Sequence, residues 1–386
     1  MKPLLNKKTG YLDYSAVFED DVQIYMILGQ RSDGKTYGII KNSIEGYTKN
    51  LGQSAYIRRF DESCKKSKLQ DLTRPHNGTI KKLTKGKYTA TEYKSRRFYF
   101  TNLGDNPESD KNPFLTVFAM NIWETSKGAD SGEFYNVIFD EFVSNNKYLP
   151  NEYMIFENVM SSILRNRNKS RLIMLGNPIN QICPYFDEFN IEPHKLKPGD
   201  VVYRISSGGV KMKFVYVPAM SEKHRTLHSI FDFNAAGSIQ TGYWEFGDFP
   251  RLPGGMIERS TFIFQFAIMF RNQFAMCEFY QKNDIVFCFW RPGNPDKILD
   301  DRSIPLFSDM HIFDENVYTS FERSRITDLF DMCRRQNRQY FATNQTGNLI
   351  KNWYHEFVRN GGVFYLRLRI QNLSVQVDIG AADEAG

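Results

Sequence analysis

Gly29, Gly34, Lys35 and Thr36 stand in the stretch GQRSDGKT with the spacing G-x-x-x-x-G-K-[ST]. Glycines there let successive backbone N–H groups curl around phosphate oxygens. A helix beginning near Lys35 adds the partial positive charge of its N-terminus. In such a loop Lys35 reaches the β- and γ-phosphates of a nucleotide and the Thr36 hydroxyl ligates Mg²⁺. Arg31, inside the loop, is placed to act in cis. A tight glycine turn with a surface lysine is the competing reading, so the loop needs support from elsewhere in the chain.

That support lies downstream. VIFDE, residues 137–141, is an apolar strand ending in Asp140 and Glu141. In phosphate-loop ATPases the first carboxylate of such a pair holds Mg²⁺ and the second polarises the attacking water. The bland alternative is a strand end with two solvated acids. LIMLGNP, residues 172–178, places Asn177 at another strand tip. A neutral amide there can hydrogen-bond both a γ-phosphate and the lytic water, although Asn is also favoured at turns for local reasons. Arg165 and Arg167 close the helix before that strand. An arginine so placed could enter a neighbouring subunit's nucleotide site, or it could simply complement the helix dipole.

These groups need strands that deliver them to one edge. Residues 22–28 read as a short strand running into the glycine loop, with a helix from Tyr37 onward. Residues 54–60, 114–120, 134–142 and 170–178 read as further strands, and 151–166 as a helix. Strands alternating with helices predict an α/β fold with a mostly parallel sheet covered on both faces. Residues 65–94 read as a polar, basic hairpin or mobile excursion. Residues 199–260, glycine-bearing and weakly periodic, read as a linker or small linking subdomain. Three strands then form an antiparallel meander, over 260–270, 273–281 and 284–290. Helices are expected over 318–336 and 347–359, and the acidic end of the chain reads as disordered. The predicted domains are 1–198, 199–260 and 261–386.

With 386 residues, 41% of them apolar, the chain can bury a substantial core. The longest greasy segment, 262–270, is strand length, which argues against a membrane span. The first residues lack the pattern of a secretory signal. Five scattered cysteines without any C-x-x-C argue for reduced thiols in a cytosol. The net charge is +6, but residues 58–97 hold thirteen Lys or Arg against four Asp or Glu, a local +9 that leaves −3 for the remainder. Such a patch suits a polyanion, and Arg58, Arg59, Lys65, Lys66, Lys81 and Lys82 are the candidate nucleic-acid contacts. Lysines kept for solubility would give the same count.

GQRSDGKTY, YIRRF, VIFDEF, YLPNEYMIFENVMSSILRNRNKSR and LGNPINQICPYFDEFNIEP together resemble the DNA-packaging ATPases of phi-twenty-nine-type tailed phages, reduced relatives of the large terminase subunits. The resemblance runs from about residue 20 to 195; beyond 260 it rests on strand order. It implies a terminase-like ATPase domain, using ATP and Mg²⁺, in a ring of five subunits. That ring would dock on the portal of a procapsid in the host cytoplasm and drive double-stranded DNA inside, and a structural RNA is a further candidate partner. It also implies an arginine finger at Arg165 and a second trans-acting basic residue at Lys127, in WETSKGADSG.

Full-length terminases carry an RNase H-like nuclease as their second domain, and the meander fits that fold. A two-metal nuclease needs several converging carboxylates. The first meander strand has none, Glu278 is on the second, and Asp284 only opens the third. The expectation is a vestigial domain without nuclease activity that binds nucleic acid or the portal, with Arg323, Arg325, Arg334, Arg335 and Arg338 as a basic face. His224 and His228 have i, i+4 spacing but lack a partnering acid or cysteine. The alternatives are a motor with an active nuclease, or a nucleic-acid-binding scaffold that does not hydrolyse ATP.

Overall fold

The computed structural model describes residues 2–30, 33–102, 108–126, 134–144, 148–164, 170–206, 208–218, 249–301, 303–309, 317–320, 325–354 and 363–367. The calls on Arg31, Lys127, Arg165, Arg167, His224, His228 and Arg323 lie outside these residues. The chain divides into two compact units, Met1–Glu245 and Phe246–Gly386.

Nine strands form the sheet of the first unit. They are β1 (Ile24–Leu28), β2 (Gln53–Arg58), β3 (Ala90–Lys94), β4 (Arg97–Thr101), β5 (Leu115–Ala119), β6 (Phe134–Asp140), β7 (Arg171–Gly176), β8 (Val201–Ile205) and β9 (Lys211–Tyr216). Their order is β3-β4-β5-β2-β6-β7-β1-β9-β8. The run from β5 to β9 is parallel throughout. Central strands of such a sheet are covered on both faces and read as continuous apolar runs. Tyr25 to Leu28, Val137 to Phe139 and Leu172 to Leu175 are accordingly buried. The helix Lys35–Thr48 packs Ile39, Ile40, Ser43 and Ile44 inward, one face of a 3.6-residue period.

Two expectations are corrected here. The supposed linker from 199 is sheet as far as Tyr216. There β8 and β9 form an antiparallel hairpin, and β9 lies parallel to β1. Residues 65–94 are a hairpin only at their end, where β3 pairs antiparallel with β4; before it they hold the short helices Lys66–Leu69 and Asn77–Leu83. Leu69, Ile80, Tyr88 and Tyr93 pin this basic segment into the main core cluster.

In the second unit, β10 (Thr261–Phe270), β11 (Gln273–Lys282) and β12 (Ile285–Pro292) form the antiparallel meander. β13 (Leu306–Ser308) runs parallel to β10. β14 (Val317–Ser320), β15 (Gln339–Phe341) and β16 (Val363–Arg367) complete the order β14-β16-β13-β10-β11-β12-β15. The helix expected from 318 begins only at Arg325, because 317–320 pairs with β16 as an edge strand. Trp290, Phe330 and Trp353 pack with ring centroids about 6 Å apart.

Candidate active site

At the C-terminal edge of the first sheet, β7 separates the strand feeding the glycine loop from the strand carrying the acids. It pairs with both, placing Ile27 and Asp140 level with Leu175. The loop is tied to this edge by a 3.0 Å bond from Gly29 N–H to the Gly176 carbonyl. Gly34, at φ 83°, turns the chain left-handed directly before the helix, a conformation glycine adopts without steric cost. Lys35 is 6% exposed, and its Nζ donates to Gly29 O at 2.8 Å, Gln30 O at 2.6 Å and Asp33 Oδ1 at 3.0 Å. Burial pushes the Asp33 carboxyl above its usual range, with the Lys35 ammonium opposing the rise.

The two motifs meet at Thr36. Its hydroxyl donates to Asp140 Oδ2 at 3.2 Å across 104 residues of sequence. The Tyr56 hydroxyl, buried on β2, donates to the same oxygen, and the Glu141 N–H donates to Oδ1 at 3.0 Å. Burial and then the Asp140 charge hold the Tyr56 phenol far above its ordinary pKa, so it remains a donor. Glu141 adopts φ 62°, a left-handed backbone unusual for a residue with a side chain, at the point where the strand breaks off. Its carboxylate accepts from Arg58 Nη2 at 2.6 Å, and Arg58 Nη1 stands 3.6 Å from Asp140. Burial opposes the Arg58 charge, but Tyr56, Asp140 and Glu141 outweigh it and hold the guanidinium protonated.

Lys35, Thr36, Gly34, Asp140, Glu141 and Asn177 line one cavity of about 880 Å³. Gly29 is not among the residues that line it. Thr36 and Asp140 present hard oxygen donors within contact of one another, a set that fits Mg²⁺ with its preference for few protein ligands.

Arg58 and Arg59 do not belong to a nucleic-acid surface. Arg58 is engaged by the acid pair, as above. Arg59 is 6% exposed; it bonds Glu152 Oε2 at 2.7 Å, Glu141 O at 2.9 Å and Phe142 O at 2.8 Å. Arg58 is the last residue of β2, beside β6, and Arg59 follows it; the first reaches the acid pair and the second Glu152. Lys65, Lys66, Lys81 and Lys82 are exposed, with Lys65 paired to Glu62.

In the second unit, Glu278 is buried and bonded to Arg291 at 2.6 Å, while Asp284 is an exposed turn residue. Among the described residues no three His, Cys, Asp or Glu cluster closely enough to hold a metal. Arg334 and Arg335 share Asp331, which neutralises part of the expected basic face. Asp33, Tyr56 and the pairing of Arg58 with Glu141 had no assigned role in the sequence. An Asp in a glycine loop reads as a turn former, and Tyr56 carries only the signal of lying two residues from Arg58 on one face of a strand.

A strand, glycine loop and helix, set one strand away from a strand ending in paired acids, define the class: the fold of phosphate-loop ATPases. Within it, the chain belongs to the Podovirus DNA encapsidation protein (Gp16) family, whose model matches residues 6–206. It is 27% identical over 170 residues to the DNA packaging protein of Bacillus phage phi29, a match covering 43% of this chain and 46% of the relative. The DNA packaging protein of Bacillus phage B103 is likewise 27% identical, over 172 residues, 43% of this chain and 48% of the relative. The chain thus matches about half the length of these curated relatives. The structure of the bacteriophage phi29 viral genome packaging motor assembly superposes with a TM-score of 0.50 at 17% identity, covering 90% of this chain and 98% of that one. The fold is shared across both units.

Proposed function

We propose that this chain is the ATP-hydrolysing subunit of a ring motor, expected to be a pentamer, that drives double-stranded DNA through a procapsid portal. Family membership supports the biological setting. One observation carries the chemistry: the 3.2 Å contact of Thr36 with Asp140, which brings loop and acid pair to one cavity. In this reading the loop amides and Lys35 bind the phosphates, and Thr36 and Asp140 hold Mg²⁺. The metal, when bound, neutralises charge on the β- and γ-phosphate oxygens. Glu141 accepts a proton from the attacking water once Arg58 releases it. Asn177 orients that water and the γ-phosphate, and Arg165 and Lys127 act from a neighbouring subunit. The exposed lysines 65, 66, 81 and 82 contact the DNA backbone, and a structural RNA is a further candidate partner.

The test is Glu141→Gln. ATP binding should persist while DNA-stimulated hydrolysis falls on the order of 10²-fold or more, the usual worth of a positioned base. Turnover retained in that variant would remove Glu141 from the role.

A further inference from the structure

An ammonium has three N–H bonds to give, and in this loop Lys35 has placed all three within the protein: on Gly29 O, Gln30 O and Asp33 Oδ1. The same Asp33 oxygen also accepts the backbone N–H of Lys35, at 3.1 Å. A loop lysine and a helix-terminal amide are the donors that a phosphate oxygen takes in such a loop. Here a carboxylate already holds both.

Asp33 is 1% exposed, and its second oxygen, Oδ2, is buried without a hydrogen-bond partner. That oxygen lies 2.0 Å from where a Cβ on Gly29 would stand, so glycine at 29 is what leaves room for the carboxylate inside the loop. A buried anion with one oxygen unsatisfied is unfavourable unless paired, and Lys35 supplies the pairing. An incoming polyphosphate therefore meets a like charge seated on its own donors.

We propose that Asp33 is a resident phosphate surrogate, whose carboxylate occupies the anion position on Lys35 in the nucleotide-free loop and must be expelled when a nucleotide binds. The inference rests on reading the loop as a nucleotide site. Expulsion costs the same for every ligand that reaches Lys35, so it weakens ATP and ADP alike and leaves the chemical step of bound nucleotide untouched. Its kinetic result is faster loss of ADP, which raises turnover wherever product release limits the rate. Asp33 is thus a positioning residue acting through Lys35.

Asp33→Asn keeps the shape and removes the charge. Binding of ATP, ADP and tripolyphosphate to the full chain, measured without Mg²⁺ by displacement of a fluorescent ADP analogue, should tighten about tenfold or more for all three, with ADP dissociation slowed in proportion. A side chain that merely shapes the loop gives the opposite sign, weaker binding on its removal. Asp33→Ala repeats the measurement should the amide variant fail to fold. Binding that is present in the wild type, lost in Lys35→Ala and no tighter in either Asp33 variant overturns the surrogate alone. A wild-type chain that binds no nucleotide overturns the loop reading and this inference with it.

Discussion

Asp140 accepts two hydroxyl protons on one oxygen, from Thr36 and from Tyr56, and a backbone N–H on the other. Thr36 would share a magnesium ion with it, whereas Tyr56, buried on β2, is a donor that fixes its rotation. Partners of that kind are commonly worth 10- to 100-fold in metal affinity. Tyr56→Phe should therefore raise the Mg²⁺ concentration needed for tight ATP binding by about 10-fold, while metal-free ATP binding stays as in the wild type. An unchanged Mg²⁺ titration would reduce Tyr56 to a core residue. His76 gives a second residue-scale forecast. It is fully buried, neither ring nitrogen has a hydrogen-bond partner, and it stacks on Tyr37 at 4.3 Å. Burial, helped by Lys41, pulls its pKa down to about 4. The unfolded chain then binds a proton between pH 6.5 and 4 that the folded chain refuses, so stability falls as pH drops through that window. At pH 4.5 the loss from this group is about 2 to 3 kcal/mol. Denaturant titrations should show a shallower acid loss in His76→Phe than in the wild type.

At the scale of elements, β2 is the part on which the site depends most, since it presents Tyr56 and Arg58 beside β6 and is followed directly by Arg59. Arg59 joins this strand end to the helix Glu152–Ile163 through Glu152, which also accepts the Tyr185 hydroxyl at 2.7 Å and the Leu149 N–H at 2.7 Å. Removing one side of a buried pair leaves the other charge without compensation. Glu152→Ala should cost about 3 to 5 kcal/mol of stability, read from the denaturant midpoint. A loss under about 1 kcal/mol, the range of exposed pairs, would show that solvent reaches Arg59. These cross-strand pairs also explain what could be read in the sequence. The strands at 24–28, 134–140, 171–176 and 261–292 were legible because burial on both faces, or a clear meander, leaves continuous apolar runs. The hairpin β8–β9 was not, because its outer strand VVYRI is half exposed at the sheet edge. Lys213 hides there as a buried cation held by Asp20 and Val17 O. A charge count could not remove Arg58 and Arg59 from the basic patch, since their acids lie 82 to 93 residues away. The acid pair and loop were found by local spacing; their supporting shell depends on strand neighbours that no local pattern encodes.

For the whole molecule, the decisive question is where transition-state charge would be met. The cations lining the described cavity are Lys35 and Arg59; Lys35 gives all three of its N–H bonds, and Arg59 four of its five, to groups of this chain. Arg58 is held by Glu141. A developing metaphosphate-like charge gains from an arginine brought to it at the moment of reaction, and such fingers are worth on the order of 10³-fold or more in rate. Under the proposed ring, Arg165, two residues beyond the end of the helix Glu152–Ile163 in sequence, is the arginine to test in that role. Arg165→Ala and Glu141→Gln should each lose ATPase activity alone. Mixed in equal amounts, they should recover part of it, because an Arg165→Ala subunit keeps Glu141 and receives Arg165 from a Glu141→Gln neighbour. The recovered rate should rise with the fraction of mixed interfaces and require double-stranded DNA to the same degree as the wild type. Mixtures that remain as inactive as either parent, under conditions where native mass shows mixed rings, would confine Arg165 to its own subunit.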